Sequence, residues 1–205
     1  MIISDLGKIV TGKTPSTKNL RNWQGSVPFV TPKDLQKTKH IFKTERYISD
    51  FAKDSLKNIV LPSNSVCVSC IGNIGYVAMT TEESITNQQI NSIIVNDANN
   101  ADYVYYLMKS LESYFKNYEG QSTTLSILNK TQFSKISIPS ISMEKQKKIA
   151  NILSSLDNKI ELNLRINDNL AAYSWISETS ISPEINFVKR VSRSNDSCSF
   201  SNPFA

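Results

Sequence analysis

The sequence has 205 residues, 40% of them hydrophobic and 20% charged, which suits one domain with a real core plus an appendage. Its apolar runs fall short of the roughly 18 residues a membrane span needs, and the N-terminus lacks the charged-then-apolar order of a signal peptide, so a cytoplasmic protein is expected. The net charge of +5 is uneven: residues 1–57 hold 11 Lys/Arg against 5 Asp/Glu, residues 58–142 hold 4 against 6, and residues 143–205 hold 8 against 7. Localised positive charge is the footprint of a phosphate-binding face, although a solvated surface also tolerates it.

Three cysteines without a secreted context point to free thiols. Cys67-Val-Ser-Cys70 is formally a C-x-x-C, but no second pair exists and His40 is the only histidine, so soft ligands for a zinc site are lacking. The pair sits in an apolar run, where a spacing of three sends the thiols to opposite faces of a strand.

Ile2–Gly12 reads as a short strand or a turn of helix, followed by the turn-rich Thr11-Gly-Lys-Thr-Pro-Ser16, in which Pro15 holds Thr14 extended. Gly7-Lys-Ile-Val-Thr-Gly12-Lys13-Thr14 satisfies the bare spacing of a phosphate-binding loop. Its context is wrong, because such a loop follows a buried strand and opens a helix, and Pro15 with the polar run to Asn22 makes a poor first helical turn. Nucleotide hydrolysis is therefore the minor alternative. Val27–Leu35 is an extended segment with Pro28 and Pro32, expected at a sheet edge or in a loop. Thr31–Arg46 interleaves Lys33, Lys37, Lys39, His40, Lys43 and Arg46 with threonines. Lysines there suit phosphates, while Arg46, Gln36 and the hydroxyls suit base edges.

Ile59–Leu61 and Val66–Ile71 read as strands, and Gly72-Asn-Ile-Gly75 as a tight turn into Tyr76–Met79, serving a hairpin in preference to a ligand. Asn87-Gln-Gln89 leads into a strand over Ile90–Val95; its amides suit adenine edges or the capping of loop backbone. Ala101–Tyr118 reads as a helix with Val104, Leu107, Met108, Leu111, Tyr114 and Phe115 on a core face, stopped by Gly120. A polar loop over Gln121–Thr124, a short helix or turn over Leu125–Phe133 and a strand at Ile136–Ile138 follow. From Met143 a helical pattern places Ile149, Leu153, Leu156, Ile160 and Leu170 at heptad spacing, with Asn163 and Asn167 at seam positions where buried polar groups fix register. That stripe faces either a partner helix or its own domain. Residues 174–205 lose periodicity and are expected to form a poorly ordered tail.

Several stretches carry a resemblance to a known family. They are Gly7–Ser16 (GKIVTGKTPS), Trp23–Leu35 (WQGSVPFVTPKDL), Gly72–Met79 (GNIGYVAM), Asn87–Ile94 (NQQINSII), Gly120–Thr123 (GQST), Ile136–Pro139 (ISIP) and Glu144–Glu161 (EKQKKIANILSSLDNKIE). Each is weak alone, but their order and spacing resemble the specificity subunit of Type I restriction–modification enzymes. The match is to one target-recognition domain followed by one conserved helical spacer. The resemblance implies a non-catalytic role without cofactors: choosing the DNA sequence for separate modification and restriction subunits. The residues agree, since no methyltransferase motif is present and Asp34, Asp50 and Asp54 lie among lysines rather than in a metal-binding cluster.

The expected architecture is α+β: a twisted mixed or antiparallel sheet domain over residues 1–142, then a protruding coiled-coil-type helix over residues 143–173. Expected DNA contacts are Lys13, Lys33, Gln36, Lys37, Lys39, Lys43, Arg46, Asn73, Asn87, Gln88 and Gln121. The expected partner-helix face is Ile149, Leu153, Leu156, Ile160, Asn163 and Asn167. The resemblance implies a half-size subunit that homodimerises, reads double-stranded DNA one half-site per domain, and works with a modification subunit. The rival is a coiled-coil adaptor without DNA contact.

Overall fold

The computed structural model describes residues 1–36, 38–117 and 127–180. Among these are eight strands: β1 (Gly7–Thr11), β2 (Trp23–Val30), β3 (His40–Ile41), β4 (Arg46–Ile48), β5 (Val66–Ser69), β6 (Val77–Thr80), β7 (Ile85–Thr86) and β8 (Ile90–Val95). The helices are α1 (Asp50–Ser55), α2 (Ala101–Ser110), α3 (Glu112–Asn117), α4 (Lys130–Ser134) and α5 (Met143–Ser180).

Two mixed sheets result, one of five strands in the order β1-β8-β5-β6-β3 and one of three in the order β4-β2-β7. The β3–β6 and β2–β7 pairs are parallel and the remainder antiparallel. Strand alternation explains why the apolar run around β5 serves two cores. Val66 and Val68, with Val77, Met79, Ile9 and Ile93, join Val104, Met108, Phe115 and Phe133 in one cluster. Cys67 and Ala78, with Val10 and Ile90, join Val30, Leu35, Ile41 and Leu61 in another. A third cluster, Val27, Phe29, Ile48, Ala52 and Ile85, lies between the small sheet and α1.

The Gly72–Gly75 turn closes the β5–β6 hairpin, with Gly72 at φ +74° and Gly75 at φ +97°. The Ser69 hydroxyl donates to the Asn73 carbonyl at 2.6 Å and accepts from the Tyr76 amide at 2.9 Å. Three elements differ from expectation. Residues Lys57–Ile59 form a 3-10 turn, and Leu61 makes only an isolated bridge to Ser84, so Ile59–Leu61 is not a strand. The 101–118 helix breaks at Leu111, whose amide reaches back to Leu107 and Met108 while α3 restarts beyond it. Strand β2 is the middle strand of its sheet, not an edge. Pro28 is tolerated there because β7 pairs only with Phe29 and Val30, leaving Pro28 opposite Tyr47 on one side alone.

Met1–Asp157 form one compact unit, and α5 from Asn158 on belongs to a second. The base of α5 therefore belongs to the first. Gln146, buried in it, donates to Asn99 Oδ1 and to the Ile141 carbonyl, both at 3.0 Å, and accepts from the Asn100 amide at 2.9 Å. Its side-chain hydrogen bonds are thus made within its own unit. In the second unit α5 is helical through Ser180. Residues 181–205, most of the expected tail, and the loop over 120–124 lie outside the described residues. No helix among the described residues is long and apolar enough to cross a membrane.

Candidate nucleic-acid interface

The segment between β1 and β2, residues 12–22, organises this surface. Gly12 starts it against the chain: a Cβ there would run into the carbonyl oxygens of Thr86 and Asn87, so only glycine allows the approach. The Lys13 amide donates to the Thr86 carbonyl at 3.0 Å, and the Thr14 hydroxyl donates to Gln88 Oε1. At the other end, the Ser16 carbonyl accepts from Asn22 Nδ2 at 2.9 Å and from Trp23 Nε1 at 3.3 Å. These bonds hold the exposed Lys13 beside the exposed Gln88 and tie the Trp23 indole to the same loop.

Arg46 completes the rim. It faces Phe29 across the β2–β4 ladder, and its guanidinium carbon lies 3.8 Å from the Trp23 ring centroid. Trp23 in turn meets Phe29 edge-on, with centroids 5.4 Å apart and planes at 88°. Stacking occupies the guanidinium's face and not its in-plane N–H fork, the geometry that reads guanine edges or phosphate. Nearby, Asp34 acts as a clasp. Its Oδ2 accepts from the Thr31 amide and hydroxyl, each at 2.8 Å, and its Oδ1 from the Glu45 amide at 3.1 Å. The clasp places exposed Lys33 by Glu45, at 3.7 Å.

The expected residues thus divide. Lys13 and Gln88 are linked through Thr14 and Arg46 is linked to the same loop through Trp23, while Lys33, Gln36 and Lys43 are exposed on the 31–46 stretch. Asn73 is exposed on the β5–β6 turn, next to Gly72, which lies close to the Gln89 amide. Asn87 spends its side chain on the loop itself, donating to Gln89 Oε1 at 2.9 Å and accepting from the Gln89 amide at 3.0 Å. Lys37 and Gln121 lie outside the described residues. Lys39 corrects the expectation: its side chain is 2% exposed and ion-paired with Asp102 at 2.6 Å, so it turns into the protein. Sequence reasoning passed over Trp23 and Arg21, whose guanidinium sits 4.7 Å from the Phe51 ring. No local spacing signals a pair formed across a strand ladder.

On α5, Ile149 is partly buried against the core of its own domain, and Leu153 is half-buried. Leu156 and Ile160 remain 53% and 56% exposed, and Asn163 and Asn167 are exposed as well.

Other chemistries find little support. Gly7–Thr11 is a strand in antiparallel register with β8, so it cannot curl around a phosphate, and no helix opens after Thr14. Cys67 and Cys70 belong to different clusters, and burial pushes each thiol up to about 12. Among the described residues no three His, Cys, Asp or Glu side chains are grouped to hold a metal.

Residues 1–172 match the family model described as the Type I restriction modification DNA specificity domain. The chain is 38% identical over 166 residues to the HindI specificity subunit of Haemophilus influenzae, covering 78% of this chain and 36% of that one. It is 35% identical over 172 residues to the MjaIX specificity subunit of Methanocaldococcus jannaschii, covering 82% and 40% respectively. Its fold is similar to the Type I restriction-modification S subunit of M. genitalium, with a TM-score of 0.59, 18% identity, and coverage of 87% of this chain and 42% of that one. The HsdS subunit of Thermoanaerobacter tengcongensis gives a TM-score of 0.61 at 14% identity, with coverage of 80% and 38%. The chain therefore spans about two-fifths of the length of these relatives. It belongs to the family of Type I restriction–modification DNA specificity domains.

Proposed function

We propose that this chain is a non-catalytic, sequence-specific DNA-binding subunit that directs a Type I modification enzyme, and a restriction subunit where one is present, to its target. Residues 1–142 act as the recognition domain and residues 143–173 as the helical spacer. The observation that carries the reading is that the 12–22 loop, with its exposed Lys13, holds Gln88 through the Thr14 hydroxyl and the Arg46-stacked Trp23 through the Ser16 carbonyl, in a chain of this family. Phosphate contacts there fix register, while the guanidinium fork and the amides read base edges.

One domain reads one half-site. The exposed Leu156 and Ile160, followed by Asn163 and Asn167, suit a second copy of this helix. A two-fold dimer then reads an interrupted, symmetric target, because site symmetry follows protein symmetry. A coiled-coil adaptor would need only the helix, whereas the family match takes in the sheet domain as well. Mapping methylated bases in a chromosome tests the reading, with the cognate modification subunit expressed with and without this chain. Methylation of one interrupted motif only when the chain is present is expected; an unchanged methylation pattern contradicts it.

A further inference from the structure

The 31–46 stretch carries the exposed Lys33, Lys43 and Arg46, yet its middle turns inward at Lys39. The ammonium finds three acceptors for its three protons: Asp102 Oδ1 at 2.6 Å, Ser154 Oγ at 2.9 Å and the Tyr106 hydroxyl at 3.3 Å. It also lies 4.8 Å from the Tyr106 ring centroid and 5.5 Å from that of Tyr105. The Tyr106 hydroxyl passes its own proton on, donating to Asp157 Oδ2 at 2.7 Å. Burial pushes this phenol above its ordinary range, with the Asp157 carboxylate adding to the effect, so it stays a donor. A directional chain Lys39 to Tyr106 to Asp157 therefore joins three separate pieces of sequence: the basic stretch, α2 and the base of α5.

A lysine this deeply enclosed is costly unless its contacts are kept together, and such networks act as a unit. The Lys39 backbone takes part too, its carbonyl accepting from the Met79 amide at 2.7 Å. Backbone and side chain thus fix the stretch from both ends of one residue.

We propose that Lys39 is a positioning residue for DNA reading: it touches no DNA and pins the 31–46 stretch to α2 and α5, so that its exposed neighbours meet the groove in register. The inference rests on the DNA-reading function above. It is separable from that function because a pin and a phosphate contact respond differently to salt. Losing a phosphate contact lowers the slope of log affinity against log salt by about one. Losing a pin misplaces base contacts, each worth roughly 5- to 150-fold in discrimination, while the exposed Lys33 and Lys43 keep their charge and their reach to the phosphates, so the slope stays near that of wild type.

The test uses the full chain bound to its cognate modification subunit, titrated with its selected duplex and with a scrambled duplex at several salt concentrations. Lys39→Met is the first variant. Tyr106→Phe, which removes one hydroxyl, and Asp102→Asn, which removes the carboxylate charge, carry the test if Lys39→Met does not fold. A fall in the ratio of specific to scrambled affinity with an unchanged salt slope is expected. A slope reduced by about one in Lys39→Met would make Lys39 a phosphate contact and overturn the proposal. An unchanged ratio in variants that fold would overturn it as well. A wild-type complex without sequence preference would remove the DNA-reading function itself, and the pin with it.

Discussion

The guanidinium of Arg46 stacks on the indole of Trp23 at 3.8 Å, across the β2–β4 ladder. The indole is itself tied to the 12–22 loop through the Ser16 carbonyl. Arg46→Lys keeps the charge but loses the fork and the stacking plane. It is expected to relax base preference at one position of each half-site while leaving the salt slope unchanged. Trp23→Ala removes the platform and should cost about 1 kcal/mol of stability from the stacking alone. Site selection and denaturant titration, run on both variants, check this pair of outcomes.

Lys33 and Lys43 are exposed, and Lys33 already faces Glu45 at 3.7 Å. Reversing either to Glu should weaken binding to specific and scrambled duplexes alike and flatten the salt dependence by about one or more phosphate contacts each. Fluorescence anisotropy over a salt series measures it. Affinity and slope equal to wild type would take this stretch out of the interface.

Helix α5 exposes Leu156 and Ile160 within a run that continues through Asn163 and Asn167. Leu156→Asp with Ile160→Asp should give a monomer by sedimentation, because charges at seam positions oppose pairing. Asn163→Leu should tighten the dimer while permitting other registers, the usual consequence of removing a buried polar seam residue. A wild-type monomer that binds DNA fully would end the two-fold assembly.

Cys67 and Cys70 are buried, and desolvation raises each thiol from an ordinary value of 9.0 to about 12. In the folded chain they stay protonated where the unfolded chain would release those protons. Their stability contribution is therefore fully present below pH 9 and is lost as pH rises from 9 toward 12. At one pH unit above the ordinary value the loss is about 1.4 kcal/mol per cysteine. Denaturant midpoints of wild type and of a Cys67→Ala, Cys70→Ala chain should converge in relative terms as pH rises through this window. Native-state thiol reagents should react with neither cysteine until the chain unfolds.

Gly12 is required by close packing against the Thr86 and Asn87 carbonyls, not by a nucleotide. Gly12→Ala should lower thermal stability and weaken DNA binding together, since Lys13 and Gln88 move with the loop. ATP should leave the melting temperature of wild type and Lys13→Ala unchanged. A nucleotide-dependent rise abolished by Lys13→Ala would restore the phosphate-loop reading.

Much of the fold was legible because its signals are local. Strand β8 runs over Ile90–Val95 and α5 begins at Met143, as periodicity indicates, and the C-x-x-C spacing separates its thiols into two core clusters. What was not legible depends on direction and partners at long range. Nothing in Lys37-Thr-Lys-His distinguishes an inward lysine from an outward one; Asp102 and Ser154, distant in sequence, decide it. Likewise Ile149 fits the heptad as well as Leu156 does, and only the core beside it shows that part of its surface packs against its own domain. Pro28 argued for an edge, yet the short reach of β7 lets it sit in a middle strand.

The most direct test of the central claim is selection of bound sequences from a randomised duplex pool, with the cognate modification subunit present. The account predicts enrichment of two inverted half-sites at one fixed spacing. A pool that shows no enrichment while the modification subunit remains bound to this chain would contradict it.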